Sequence, residues 1–122
     1  MYIPRHFREE DRAAAFELID DFGFATLVSW PVSGPMVTHL PLLLDRQRVG
    51  AERILGHVAR GNAHWQLFDG STAALAIFHG PHGYISPAWY PTHPSVPTWN
   101  YAVVHVHGAP RVLDEAATKE MR

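Results

Sequence analysis

The sequence contains no cysteine. That absence excludes a disulfide framework, a thiolate metal site and a cysteine nucleophile. Charge is also sparse: 18% of the 122 residues, nearly balanced at a net −2. Such a balance gives no general attraction to nucleic acid or to an anionic membrane, although it leaves room for a local basic patch. No apolar run approaches the length of a bilayer span. Nothing resembles a signal peptide, because the opening MYIPRHFREEDR is charged and carries a proline. A soluble, cytoplasmic protein with no membrane partner is therefore expected. Phosphate-cradling G-x-x-x-x-G-K and G-x-G-x-x-G loops are missing. Ser29, Ser33, Ser71, Ser86 and Ser95 all lack a nucleophile-elbow setting. No helix-turn-helix is legible either, since strands separate the helices.

What is present is a hydrophobic fraction of 47%, enough for one folded domain with a core. Nine histidines and ten prolines stand out. Histidine at this density offers several positions that can donate, accept or bind metal.

The stretch EEDRAAAFELIDDFG predicts a helix. Ala15, Leu18, Ile19 and Phe22 form one apolar face, Glu9, Glu10 and Asp11 suit its positive end, and Gly23 suits its stop. FATLVSW (24–30) and MVTHLPLLL (36–44) predict a hairpin, with Pro41 placing the second strand at an edge or bulge. RILGHVA (53–59) predicts a third strand. NAHWQLFDG predicts a short helix capped by Asn62 and stopped by Gly70. TAALAIFHG (72–80) predicts a strand buried on both faces. Residues 81–100 predict an ordered, aromatic loop with a short strand near Tyr84 and Ile85. YAVVHVHGAPRVL (101–113) predicts a last strand and Asp114 opens a final helix. Strands joined mostly by hairpins indicate an antiparallel barrel flanked by helices.

Four segments could carry chemistry. In HVARGN a strand ends, the chain turns through Gly61 and a helix opens at Asn62. Helix-start amides and the planar fork of Arg60 suit a phosphate, but a capped turn with a solvated arginine has the same local sequence. In MVTHLP, alternation sends Thr38 and His39 to opposite faces, so one points toward the core or an interface. HVH at 105–107 puts two imidazoles on one strand face, where His57 or His79 could complete a metal set; cross-strand pairing or exposure is favoured, since no carboxylate ligand accompanies them. Tyr84, Trp89, Tyr90, Trp99 and Tyr101 could wall a pocket for a planar ligand or build a small second core.

Taken in order, MYIPRHF, FATLVS, THLPLLLD, GHVARGNAHW, FHGPHGYISPAWYP and VPTWNYAVVHVHG resemble the PaiB-like family of FMN-binding negative transcriptional regulators. The resemblance covers nearly the whole chain. It implies a mainly-β fold: an FMN-binding split β-barrel of antiparallel Greek-key type, related to the pyridoxamine-phosphate-oxidase and flavin-reductase-like barrels. It implies a homodimer with FMN in a groove between subunits. It also implies repression of transcription, in bacteria chiefly of sporulation and degradative-enzyme genes, through DNA or through a regulatory protein; the charge balance argues against direct DNA contact. By motif position, Thr38, His39 and Pro41 would lie beside the flavin. His57, Ala59, Arg60 and Asn62 would meet its phosphate, and Trp99, Asn100 and Tyr101 would complete the pocket from the facing subunit. Residues 1–113 would form the barrel domain, and 114–122 would begin a C-terminal helical region that family members continue and this chain truncates. A flavin-dependent oxidoreductase on the same barrel is the first alternative, because flavin itself carries the chemistry and needs few catalytic side chains. A metal- or haem-binding barrel without flavin is the second.

Overall fold

The computed structural model describes residues 12–47, 50–85 and 98–113. The first helix, α1 (Arg12–Asp21), is followed by strands β1 (Phe24–Ser29), β2 (Met36–Pro41), β3 (Leu43–Asp45) and β4 (Arg53–Leu55). A 3₁₀ segment (Ala63–Leu67) precedes two long strands, β5 (Ala74–Ile85) and β6 (Thr98–Gly108). One sheet has the order β2-β1-β5-β6, and β3 pairs with β4 in a second. Every pairing is antiparallel. β5 lies beside β1 only after the β3–β4 excursion, like the return strand of a Greek key. The fold is mainly β and of the split-barrel class, with a barrel that is not closed among the described residues.

Alternation along the strands sorts side chains to two faces. The inner face carries Ala25, Leu27, Ala76, Phe78, Val104 and Val106, and α1 covers it with Phe16, Leu18 and Ile19. Phe78 has no exposed surface and anchors this core, a burial that stabilises by about 2–3 kcal/mol. Arg46 ties α1 to the second sheet through a 2.7 Å ion pair with Asp20, and its guanidinium lies 5.1 Å from the centre of the Phe16 ring. Gly80 lets α1 approach β5: a Cβ there would lie 2.9 Å from Leu18 Cδ1 and 3.1 Å from the Ala102 carbonyl oxygen. A register shift between His79 and His82 lets β5 continue to Ile85, so the expected short strand at Tyr84 is part of β5.

Several expectations are corrected. MVTHLPLLL is two strands, not one. The chain leaves the first sheet at Leu42, whose N–H donates to the Gly23 carbonyl at 2.8 Å, and enters the second. Pro41 ends edge strand β2, where its missing donor costs no ladder bond. Gly23 ends α1 without a left-handed φ; it is needed because a Cβ would sit 2.9 Å from the Leu42 carbonyl oxygen. The third strand stops at Leu55, short of residue 59. β5 is not buried on both faces: Ala74, Ala76 and Phe78 are buried, Leu75 and Ile77 are half-buried, and His79 is exposed. The last strand begins at Thr98 rather than Tyr101. Glu9–Asp11, the aromatic residues Trp89 and Tyr90, and the helix expected from Asp114 lie outside the described residues. No described helix is long and apolar enough to cross a membrane.

Candidate functional site

The end of the inner face that α1 does not cover is sealed by polar side chains. Ser29 and Thr38 both point inward there from β1 and β2. The 3₁₀ segment drops His64 between them. Its Nε2 lies 2.8 Å from Ser29 Oγ and its Nδ1 lies 2.7 Å from Thr38 Oγ1. Asn62 Nδ2 donates to Thr38 Oγ1 at 3.1 Å, and Asn62 Oδ1 accepts from the His64 amide at 3.1 Å. The Phe68 ring packs against the imidazole at 5.3 Å. His64 is fully buried and Ser29 is 1% exposed. Burial pushes the His64 pKa below its ordinary 6.5. Burial disfavours the charged ring, and a neutral imidazole would donate to one hydroxyl and accept from the other. No buried side-chain nitrogen or oxygen among the described residues lacks a partner.

This seal fixes the turn that precedes it. Asn62 N–H donates to the Ala59 carbonyl at 2.9 Å, closing the turn through Arg60 and Gly61. Trp65 Nε1 donates to the Arg60 carbonyl at 2.9 Å. The Arg60 backbone is thus held at two points, while its exposed guanidinium makes no hydrogen bond or ion pair among the described residues. The sequence reading is adjusted here. The helix that Asn62 caps is a five-residue 3₁₀ segment, too short for a useful macrodipole, and the cap already occupies the His64 amide. The permanent charge available to an anion at this turn is the Arg60 side chain.

The outer face of the same sheet is different. Here His39, Thr26, Ile77 and His105 form one row across four strands by register. Thr26 Oγ1 lies 3.1 Å from His39 Nδ1. A groove of about 480 Å³ includes Ile77, His79, His82, Tyr101, Val103 and His105 in its lining. Tyr101 is 64% exposed. The pKa of His105 is lowered, by burial first and then by neighbours that include His107 and His79. No group of three His, Asp or Glu residues among the described residues could hold a metal ion.

The structure therefore divides the residues singled out in the sequence. Thr38, Ala59, Arg60 and Asn62 come together around the seal. His39 leaves Thr38 for the outer face, as alternation requires. Pro41 and His57 are exposed and join neither group by a hydrogen bond. Asn100 and Tyr101 project from β6, with Trp99 beside them in sequence and opposite Tyr84 in register. β6 and β2 are opposite edges of the four-stranded sheet, roughly 14 Å apart along it at ordinary strand spacing. Sequence reasoning missed His64 and Ser29. The signal for His64 was its place two residues after the cap, on the inward side of a short helix.

Comparison with known proteins bears on what the Arg60 turn is for. The sequence model of the family described as "Putative FMN-binding domain" matches residues 1–121. The chain belongs to this family. It is 36% identical over 115 residues to the Bacillus subtilis "Protease synthase and sporulation protein PAI 2", covering 94% of this chain and 55% of that protein. It is 33% identical to the Saccharomyces cerevisiae "Uncharacterized protein YKL070W", covering 93% of this chain and 79% of that one. The chain thus spans about half the length of its Bacillus relative. FMN is the cofactor that family membership assigns. The residues present suit it. FMN presents an anionic phosphate and a planar ring; a fixed turn presents an exposed guanidinium, and β6 presents an exposed phenol ring.

Proposed function

We propose that this chain is an FMN-binding module of a regulatory protein, with Arg60 as the phosphate ligand. The observation that carries the reading is the exposed Arg60 guanidinium, without a partner among the described residues, on a turn whose backbone is tied down on both sides, in a chain that matches the FMN-binding family along its length. A planar, permanently charged fork on an anchored backbone favours phosphate over uncharged ligands, because its N–H groups match two phosphate oxygens at once. Thr38, Ala59 and Asn62 build the floor of that site, and His57 lies at its approach. Asn100 and Tyr101, with Trp99, act from a second copy of the chain. Their place on the far sheet edge from Thr38 supports a contribution in trans, and the half-apolar outer face supports pairing of two copies. Flavin bound there supplies redox chemistry; the chain's own residues bind, orient and shield it. The regulatory role is part of the PaiB-like resemblance; the Bacillus relative's name, "Protease synthase and sporulation protein PAI 2", is compatible with it.

Fluorescence titration tests the reading. FMN should bind with quenching of its emission, riboflavin should bind more weakly, and Arg60→Ala should remove most of the difference. A protein that takes up no FMN, or an Arg60→Ala variant that keeps the full preference for FMN, would refute it. Steady NADH or NADPH oxidation by the loaded protein would move the assignment to an oxidoreductase.

A further inference from the structure

We infer that His64 and Ser29 are positioning residues for the phosphate-binding turn, acting on Arg60 from beneath without touching the ligand. The inference rests on the flavin reading and names the part of the fold that makes it work. Ser29 is 1% exposed and His64 is fully buried, so neither can meet a bound molecule directly. Their bonds nevertheless run as one chain toward Arg60. Ser29 Oγ holds His64 Nε2, His64 Nδ1 holds Thr38 Oγ1, Thr38 holds the Asn62 amide, and Asn62 closes the turn on Ala59. The His64 backbone returns to Asn62 Oδ1, which makes the connection a loop rather than a string. A ring fixed at both nitrogens leaves Asn62 one orientation, and Asn62 leaves the turn one shape. The Trp65 indole then pins the Arg60 carbonyl.

Space-filling alone would be served as well by an apolar residue, which needs no hydrogen-bond partners. Two hydroxyls from two strands meet one imidazole here. Replacing either hydroxyl strands a buried ring nitrogen, and the ring then reorients or admits water. The consequence should appear at Arg60. It should appear for a phosphate ligand and not for the same ligand without phosphate.

The test compares FMN and riboflavin affinity in wild type, Ser29→Ala, His64→Gln, Arg60→Ala and the Ser29→Ala/Arg60→Ala double variant, with circular dichroism on each to confirm folding. Ser29→Ala and His64→Gln are expected to weaken FMN roughly ten- to a hundredfold while riboflavin changes less than about twofold. The double variant should bind FMN no more weakly than Arg60→Ala alone, because Ser29 acts through that residue. If either single variant folds poorly, the other carries the comparison. Equal loss of FMN and riboflavin, or additive losses in the double variant, would overturn the inference and leave the flavin reading intact. Failure of wild type to take up FMN would overturn both.

Discussion

The two faces of the four-stranded sheet use the same residue type in opposite ways. On the inner face, His64 is fully buried and bonded at both nitrogens to hydroxyls. On the outer face, His39, His79 and His107 are exposed, and His105 is half-buried in an open groove. The contrast shows that a high histidine count is not one signal. The inner histidine joins two strands through their hydroxyls; the outer ones lie open at the surface or line a groove. Their difference comes from partners, not from the side chain.

The sharpest way to break this comparison is to delete each kind. His64→Ala removes a packed ring, strands the buried Ser29 hydroxyl and leaves Thr38 Oγ1 with Asn62 alone, so it should cost about 2–4 kcal/mol of stability. Urea denaturation would register this as a lower midpoint. A loss under 1 kcal/mol would mean that the seal is not a structural joint.

Acid is the next lever. The unfolded chain binds a proton at His64 near 6.5, whereas the buried ring resists it. The stability it contributes is thus complete above about pH 6.5 and falls as the pH drops below that value. Wild type should lose urea midpoint between pH 7.5 and 5.5, and His64→Gln should lose less. His105 shifts the same way, so the difference between the two proteins, not the slope of either, reports on His64.

The smallest effect belongs to the outer face. His39→Ala breaks one exposed contact with Thr26 and should change stability by less than about 0.5 kcal/mol. An effect as large as that of His64→Ala would erase the distinction between the faces.

Local rules made much of this legible from the sequence. The β1–β2 hairpin, the edge position forced by Pro41, the helix beginning inside EEDRAAAFELIDDFG and the Asn62 cap all follow from short-range chemistry. The opposite orientations of Thr38 and His39 follow from strand alternation alone. What was not legible depends on distant contacts. The switch of sheets at Leu42 is set by its bond to Gly23, far earlier in the chain. The length of β5 is set by its pairing with β6 across a bulge. Ser29 offered no motif, because its role arises only when His64, 35 residues later, folds onto it.

The proposed flavin site puts the phosphate at the Arg60 turn and not at the open histidine face. Amide chemical shifts measured with FMN, minus those measured with riboflavin, isolate the phosphate's effect. The difference should concentrate on residues 59–62 and on Thr38 and His64. A difference centred instead on His79, His105 and His107 would contradict it.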